Sequence, residues 1–183
     1  MKKDENYWKK AYELFWNKAD KKERDVKDII EKLLDTTIEF YGLGAGETVF
    51  IEGSAEKNSA IKGDADLYIK KYDAFLEVTG PMIKVDEKTT LWIRPDKVRN
   101  AINKIDKNIG KNHFVIHVAE LKNGEKLFRA IKIGKHIEDA YREKSIKLVH
   151  PTIRGKKEKY LEIPYNHSCV YSIEQFKTII TAQ

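Results

Sequence analysis

The chain has 183 residues, of which 35% are charged and 41% hydrophobic, and its formal net charge is +6. This length fits one domain with a core of its own, and no apolar run reaches the roughly 20 residues that cross a bilayer. The lone cysteine, Cys169, excludes an intramolecular disulfide, and the N-terminus lacks the apolar centre of a secretory signal. We therefore predict one intracellular, cytoplasmic domain over residues 1–183 that has no membrane partner.

The positive charge favours a polyanionic partner, but only weakly. Acidic residues number 29 against 35 basic ones, so the surface carries both signs. A basic protein without any nucleic-acid role has such a charge about as often as a nucleic-acid-binding protein.

Two amphipathic helices are predicted first, over residues 5–20 and 23–41, because apolar residues recur there at helical spacing. The glycine-rich segment 42–46 ends the second helix. It precedes a strand and lacks the spacing of a dinucleotide phosphate loop, so we interpret it as a connector.

The rest of the chain alternates between strands and helices. A basic helix is predicted from about Pro95 to Ile109, another over 135–145, and a last one that opens at Ser172 with a capping box to Gln175. Strands are predicted over 48–52, 64–70, 74–79, 91–93, 114–119, 127–131, about 147–153 and 159–164. This order predicts an α/β fold around a mixed sheet, with N-terminal helices over 5–41, a core over 48–120 and a C-terminal extension over 121–183.

The most informative segment is an acidic hairpin. If residues 64–70 and 73–79 pair as antiparallel strands, Asp66 lies directly opposite Glu77, and Asp64 lies opposite Thr79. A four-residue loop keeps this register, whereas a three-residue loop shifts it. Side chains alternate between the two faces of a strand. The apolar face carries Ala65, Leu67, Ile69, Ala74, Leu76 and Val78, and the other carries Asp64, Asp66, Tyr68, Phe75, Glu77 and Thr79.

Two directly opposed carboxylates destabilise a hairpin, but a divalent cation between them reverses the sign of that interaction. The alternative is that Asp66 and Glu77 are solvated on an outward face. Tyr68 and Phe75 share their face and indicate that it is partly covered, where an unpaired carboxylate is costly.

These residues resemble the PD-(D/E)XK nuclease superfamily, in which an acid near the start of one strand precedes an E-x-K motif on the next. Here the acid is Asp66, and the motif reads Glu77-Val78-Thr79. The arrangement is most similar to that of archaeal Holliday-junction resolvases. The shared order, over about residues 23–120, is an amphipathic helix, a strand leading into a small-residue loop (50–55), the two acids, a short strand with a basic helix (91–100) and a core strand (114–118).

The resemblance implies a restriction-endonuclease-like core that hydrolyses DNA phosphodiesters with Mg²⁺ or Mn²⁺. Asp66, Glu77 and the Val78 carbonyl would be the metal ligands, and Asp64 an outer or alternative one. Branched or duplex DNA would be the substrate. A homodimer is expected, because paired sites would serve a two-fold junction.

Two features depart from the family pattern. Thr79 stands where the family has a catalytic lysine, and threonine is no general base at neutral pH. Lys84 could supply the missing charge, although an ordinary surface lysine is the simpler reading. Resolvase-type members also use an acid from the first conserved helix, and no spacing selects between Glu23 and Asp25.

Basic residues follow the acids in two clusters. Arg94, Lys97 and Arg99 lie on the predicted basic helix, and Arg154, Lys156 and Lys157 lie in a predicted turn. Each could contact a backbone phosphate, or simply be solvated.

The five histidines have no metal-ligand spacing, which argues against a zinc site, and His117 is interpreted as a hydrogen-bonded core residue. The sequence thus favours a metal-dependent DNA endonuclease. The alternatives are a catalytically silent nucleic-acid-binding protein on the same fold and an interaction protein with no nucleic-acid role.

Overall fold

A computed structural model describes residues 5–41, 65–153 and 155–182, with side chains from residue 18 onward. None of the helices in this described part is long and apolar enough to cross a membrane. The helices are α1 (Glu5–Leu34), α2 (Pro95–Asp106), α3 (Lys135–Arg142) and α4 (Ile173–Thr181).

The strands form three sheets. The largest has six strands in the order β1-β2-β3-β5-β6-β11, a second has the order β4-β10-β7, and the third pairs β8 with β9. Their bounds are β1 (Glu39–Phe40), β2 (Leu67–Ile69), β3 (Ala74–Thr79), β4 (Leu91–Ile93), β5 (Asn112–Glu120), β6 (Lys126–Lys132), β7 (Lys147–Val149), β8 (Thr152–Ile153), β9 (Lys156–Lys157), β10 (Tyr160–Ile163) and β11 (Val170–Ser172).

The large sheet is mixed, because β3 runs parallel to β5 whereas all other neighbouring strands of this sheet are antiparallel. The connection from β3 to β5 passes through β4 and α2. This arrangement confirms the α/β class with a mixed sheet and helices that the sequence predicted.

The large sheet is covered on both faces. Apolar residues of α1 and α4 pack with Leu76, Phe114 and Ile116 in one buried cluster. Val115 and Ile131, which point the other way, belong to a second cluster with residues of α2, α3, β4 and β10. Burial of both faces explains why β5 reads as a nearly continuous apolar run rather than an alternating one.

The predicted pair of N-terminal helices is wrong, because α1 is one continuous helix from residue 5 to 34. No proline or glycine interrupts it near residues 21–22. It also ends earlier than residue 41. Asp35 has a left-handed backbone with φ +47°, and the β-branched residues that follow lead into β1.

Several later bounds also differ. The expected strand 147–153 is split into β7 and β8 around Pro151, since proline cannot donate to a ladder. β11 was not predicted, and it pairs with β6 at one edge of the large sheet. The β5–β6 hairpin and the capping box at Ser172 are confirmed. The predicted connector 42–46 and strand 48–52 lie outside the described residues.

Candidate active site

The acidic hairpin has the register expected from the sequence. Leu67 pairs with Leu76, Tyr68 with Phe75 and Ile69 with Ala74. The connection is a 3₁₀ turn over 70–72 followed by a left-handed Asp73, so it spans four residues rather than two. As expected, a four-residue loop keeps the register.

The two faces of the hairpin also separate as expected. Leu67, Ile69, Ala74 and Leu76 are fully buried in the cluster beneath α1. The opposite face is partly covered, because Phe75 stacks on His113 of β5 and packs against Tyr68. The Lys104 ammonium of α2 lies 4.7 Å from the centre of the Phe75 ring.

Asp66 lies at the point where the regular ladder between β2 and β3 ends. Its backbone N–H donates to the Leu76 carbonyl at 3.0 Å. Its carboxylate oxygen Oδ2 accepts a hydrogen bond from the Val78 N–H at 2.7 Å. The side chain therefore crosses to β3 and is fixed beside the residue that follows Glu77.

Glu77 forms an ion pair that the sequence analysis did not anticipate. The Lys97 ammonium, from the first turn of α2, donates to Glu77 Oε2 at 2.8 Å. The side chains of Lys97 and Glu77 are only 18% and 16% exposed. From the sequence alone, Lys97 could be either a phosphate contact or a solvated residue, whereas in the structure its ammonium contacts the acid pair.

The two carboxylates interact with each other and with the same ammonium. Burial raises the pKa of Asp66, although the Lys97 charge and the Val78 hydrogen bond oppose it. Burial and then the Asp66 charge raise the pKa of Glu77 well above its usual value. Burial lowers the pKa of Lys97, but the charges of Glu77 and Asp66 outweigh burial and raise it.

A third acid is contributed by α1. Glu23 is 5% exposed, and its charge adds to the elevation of the pKa of Glu77. Asp25 instead forms an ion pair with Lys126 of β6. Of the two acids that the sequence could not distinguish, Glu23 is therefore the one whose charge acts on the pair.

The two residues considered for the motif lysine take other positions. Thr79 ends β3 and pairs with the buried His117 of β5. Lys84 is 56% exposed and forms an ion pair with Glu120 at 3.0 Å, so its ammonium is paired with an acid other than Asp66 or Glu77. Lys97 is the lysine that contacts Glu77.

The other predicted nucleic-acid-binding residues that the structure describes form no hydrogen bond or ion pair with Asp66 or Glu77. Arg94 donates twice to Asp96, at 3.0 and 2.6 Å, at the start of α2. Arg99 is exposed, and Lys156 and Lys157 are exposed on β9. Asp64 and Arg154 lie outside the described residues.

The predicted metal ligands Asp66 and Glu77 are brought together as a pair of carboxylates. Among the described residues, no group of three or more His, Cys, Asp or Glu side chains forms a metal site. Two carboxyl groups, those of Asp66 and Glu77, act on the single ammonium of Lys97, so acids outnumber the cation here. Hard cations such as Mg²⁺ favour such carboxylate oxygens.

Comparison of the chain with protein-family models, with curated proteins and with solved structures finds no match.

Little in the sequence indicates that Lys97 belongs to the site. Lys97 lies two residues after Pro95, at the start of a helix that follows a short strand. On α2, Lys97 lies four residues before Ala101 and Lys104 lies three residues after it, so the two lysines share one helical face.

Proposed function

We propose that this protein is a metal-dependent nuclease that hydrolyses DNA phosphodiesters, on a restriction-endonuclease-like core of the PD-(D/E)XK kind. The observation that carries the proposal is the convergence of Asp66 and Glu77, from neighbouring strands, on the Lys97 ammonium. Buried acids with raised pKa values beside a specific charge partner are typical of functional sites.

The order of elements supports the same reading. An acid precedes β2, a second acid lies on β3, and a short strand and a basic helix then lead into the core strand β5. This is the order on which the resemblance to resolvases rests. Asp66 and Glu77 occupy its two acid positions, and Glu23 of α1 supplies the additional helix acid that resolvase-type members use.

Lys97 provides the charge that Thr79 lacks. The Lys97 ammonium lies 2.8 Å from Glu77. It would donate a hydrogen bond to a phosphate oxygen or to an attacking water next to the acid pair. The lysine of the motif is thereby supplied by α2 rather than by β3.

The donor set fits a hard divalent cation. Asp66, Glu77 and the Val78 carbonyl would hold Mg²⁺ or Mn²⁺, which when bound supplies positive charge against the developing charge of the phosphate. Asp66 is already oriented for this by the Val78 N–H, and the packing of Phe75, Tyr68 and α2 limits access of bulk water to that side of the pair.

A catalytically silent DNA-binding protein on the same fold is the second candidate. It is favoured by two observations, the absence of a three-ligand group among the described residues and the neutralisation of Glu77 by Lys97. In that case Lys97 replaces the cation permanently.

The test is incubation with supercoiled plasmid and with a four-way DNA junction, each with Mg²⁺, Mn²⁺ or EDTA. We expect metal-dependent cutting that is lost in Glu77→Ala. The matched control is Asp139→Ala, which removes an exposed acid of α3 and should leave cutting unchanged. Salt-sensitive binding without cutting under any metal would establish the silent protein, and neither binding nor cutting would refute both. Sedimentation of the active protein then tests the proposed homodimer.

A further inference from the structure

A basic cleft lies between α1 and the segment that follows β3. Its volume is about 380 Å³. It is lined by Lys18, Lys21, Lys22 and Asp25 of α1, by Pro81, Met82, Ile83 and Lys84 after β3, and by Val118, Glu120 and Lys126 of the sheet. Of the residues predicted to bind nucleic acid, none that the structure describes lines this cleft.

The charges of the cleft are only partly compensated. Glu120 pairs with Lys84 and Asp25 pairs with Lys126, which accounts for both acids in the lining. Three of the five lysines remain. Lys18 and Lys21 have no ion pair among the residues that the structure describes, and Lys22 is held by backbone oxygens instead.

Lys22 connects the cleft to the acidic strand. Its ammonium donates to the Gly80 and Pro81 carbonyls at 2.8 and 2.7 Å. Burial, and then the charge of Lys18, lower the pKa of Lys22 to about 8. Gly80 lies three residues after Glu77 on the same strand path, about 10 Å at roughly 3.3 Å per residue. Glu23 follows Lys22 directly in α1.

We propose that this cleft binds the sugar–phosphate backbone of DNA next to the acid pair, an inference that rests on the proposed function. Lys18 and Lys21 are exposed one turn apart on α1 and would contact neighbouring phosphates, while Lys22 fixes the segment after β3 that forms the opposite wall. Met82 and Ile83, which are 42% and 73% exposed, lie at the edge of the cleft where deoxyribose carbons would pack. The concave shape fits a nucleic-acid strand better than a flat anionic membrane surface.

The test measures binding rather than cutting. Fluorescently labelled duplex and junction DNA are titrated in EDTA at several salt concentrations, with the wild type and the Lys18→Glu/Lys21→Glu double variant. Both lysines belong to an exposed or half-exposed helix surface, so the double variant should fold. The matched control is Lys144→Glu/Lys177→Glu, which makes the same change of charge on exposed residues outside the cleft.

We expect the dissociation constant of the cleft variant to rise roughly tenfold or more, and its slope of log affinity against log salt to fall by about 1.8, because two phosphate contacts are lost. The control should change far less. Equal weakening in both double variants would overturn the cleft and indicate a general charge effect, and wild-type protein that does not bind DNA at low salt would overturn it too.

The outcome separates the cleft from the nuclease. If the cleft variant binds DNA with wild-type affinity and still cuts it, the cleft assignment is overturned and the proposed nuclease function stands. If the wild type and the cleft variant bind DNA as expected but the wild type does not cut DNA with any of the metals, the cleft assignment stands and the proposed nuclease function is refuted. Binding of the wild type to vesicles of anionic phospholipid is measured as well. Tight binding to the vesicles without binding to DNA would overturn the assignment of DNA as the ligand.

Discussion

Lys97 lies beside Asp66 and Glu77, and its ammonium donates to the buried Glu77 at 2.8 Å. The interaction differs from the ion pairs at the surface, such as Lys122 with Asp86, whose side chains are about two-thirds exposed. Water screens the surface pairs, whereas removing one partner of a buried pair leaves an uncompensated charge.

Replacing Lys97 by methionine tests this difference. We expect Lys97→Met to lower the free energy of unfolding by about 2 kcal/mol at pH 7, since two buried carboxylates lose their cation. We also expect any metal-dependent cutting to fall about 100-fold, the scale of a lost charge-stabilising donor. Urea denaturation and plasmid cleavage measure the two effects.

Two variants serve as controls for Lys97. Lys97→Arg keeps the charge and should recover most of the stability, and Lys122→Met should change stability by less than about 0.5 kcal/mol. If Lys97→Met were as stable as Lys122→Met, the pair with Glu77 would not contribute as described.

His117 makes the stability of the protein depend on pH. It is buried on β5, and burial, followed by the charges of Lys22 and Arg129, lowers its pKa to about 3. The unfolded chain takes up this proton near the ordinary pKa of 6.5, whereas the folded protein does not. Stability is therefore full above pH 6.5 and is lost as the pH falls toward 3.

We expect His117 to lower the free energy of unfolding by about 2 kcal/mol as the pH falls from 6.5 to 5, since the uptake of one proton by the unfolded chain contributes about 1.4 kcal/mol per pH unit. Urea denaturation of wild type and His117→Asn at pH 7, 6 and 5 measures it. The variant should show a shallower loss of stability toward low pH, and parallel pH profiles would contradict the assignment.

At the scale of elements, the parallel pairing of β3 with β5 depends on how the chain leaves β3. Gly80 has φ +148°, and a Cβ on it would lie 1.9 Å from the Val118 carbonyl oxygen of β5. Such a distance is impossible without moving a backbone segment of the sheet. The glycine therefore allows residues 80–84 to pass close over β5, where they form one wall of the basic cleft.

Gly80→Ala should destabilise the protein by about 3 kcal/mol or more, because both the backbone conformation and the clash are unfavourable. The matched variant is Gly124→Ala in the β5–β6 turn, where φ is +89° and no atom lies within 4 Å of the added Cβ. That change should cost only about 1 kcal/mol. Thermal or urea unfolding compares the two, and equal losses would contradict the close approach at Val118.

At the scale of the whole molecule, the acid site joins elements that are far apart in sequence. α1 contributes Glu23, the β2–β3 hairpin contributes Asp66 and Glu77, and α2 contributes Lys97. A cation bound by the acids would therefore stabilise the packing of α1 and α2 on the sheet together.

Metal binding should consequently appear as a gain in global stability. With Mg²⁺ or Mn²⁺ about tenfold above its dissociation constant, we expect about 1.4 kcal/mol of stabilisation and a melting temperature higher by about 3 °C. Glu77→Gln should remove the gain, whereas Glu125→Gln, at an exposed turn, should keep it. A gain that persists in Glu77→Gln would place the metal elsewhere.

Much of the hairpin could be predicted because its determinants are local. Alternation of apolar and polar residues has period two, so Leu67, Ile69 and Leu76 had to share the buried face, which leaves Tyr68, Phe75 and Glu77 on the other. The bounds of α1 were missed for a related reason. The segment after Leu34 keeps a helical apolar pattern, and only the left-handed Asp35 and the pairing of β1 with β2 stop the helix there.

By itself, the sequence determined which acids lie together, because strand periodicity and the register of one short hairpin bring Asp66 and Glu77 to the same side. Only the tertiary structure decided which cation they meet and which helix acid joins them. Lys97 and Glu23 reach the pair through the packing of α2 and α1 against the sheet, which depends on both buried clusters at once and has no counterpart in the spacing of residues along the chain.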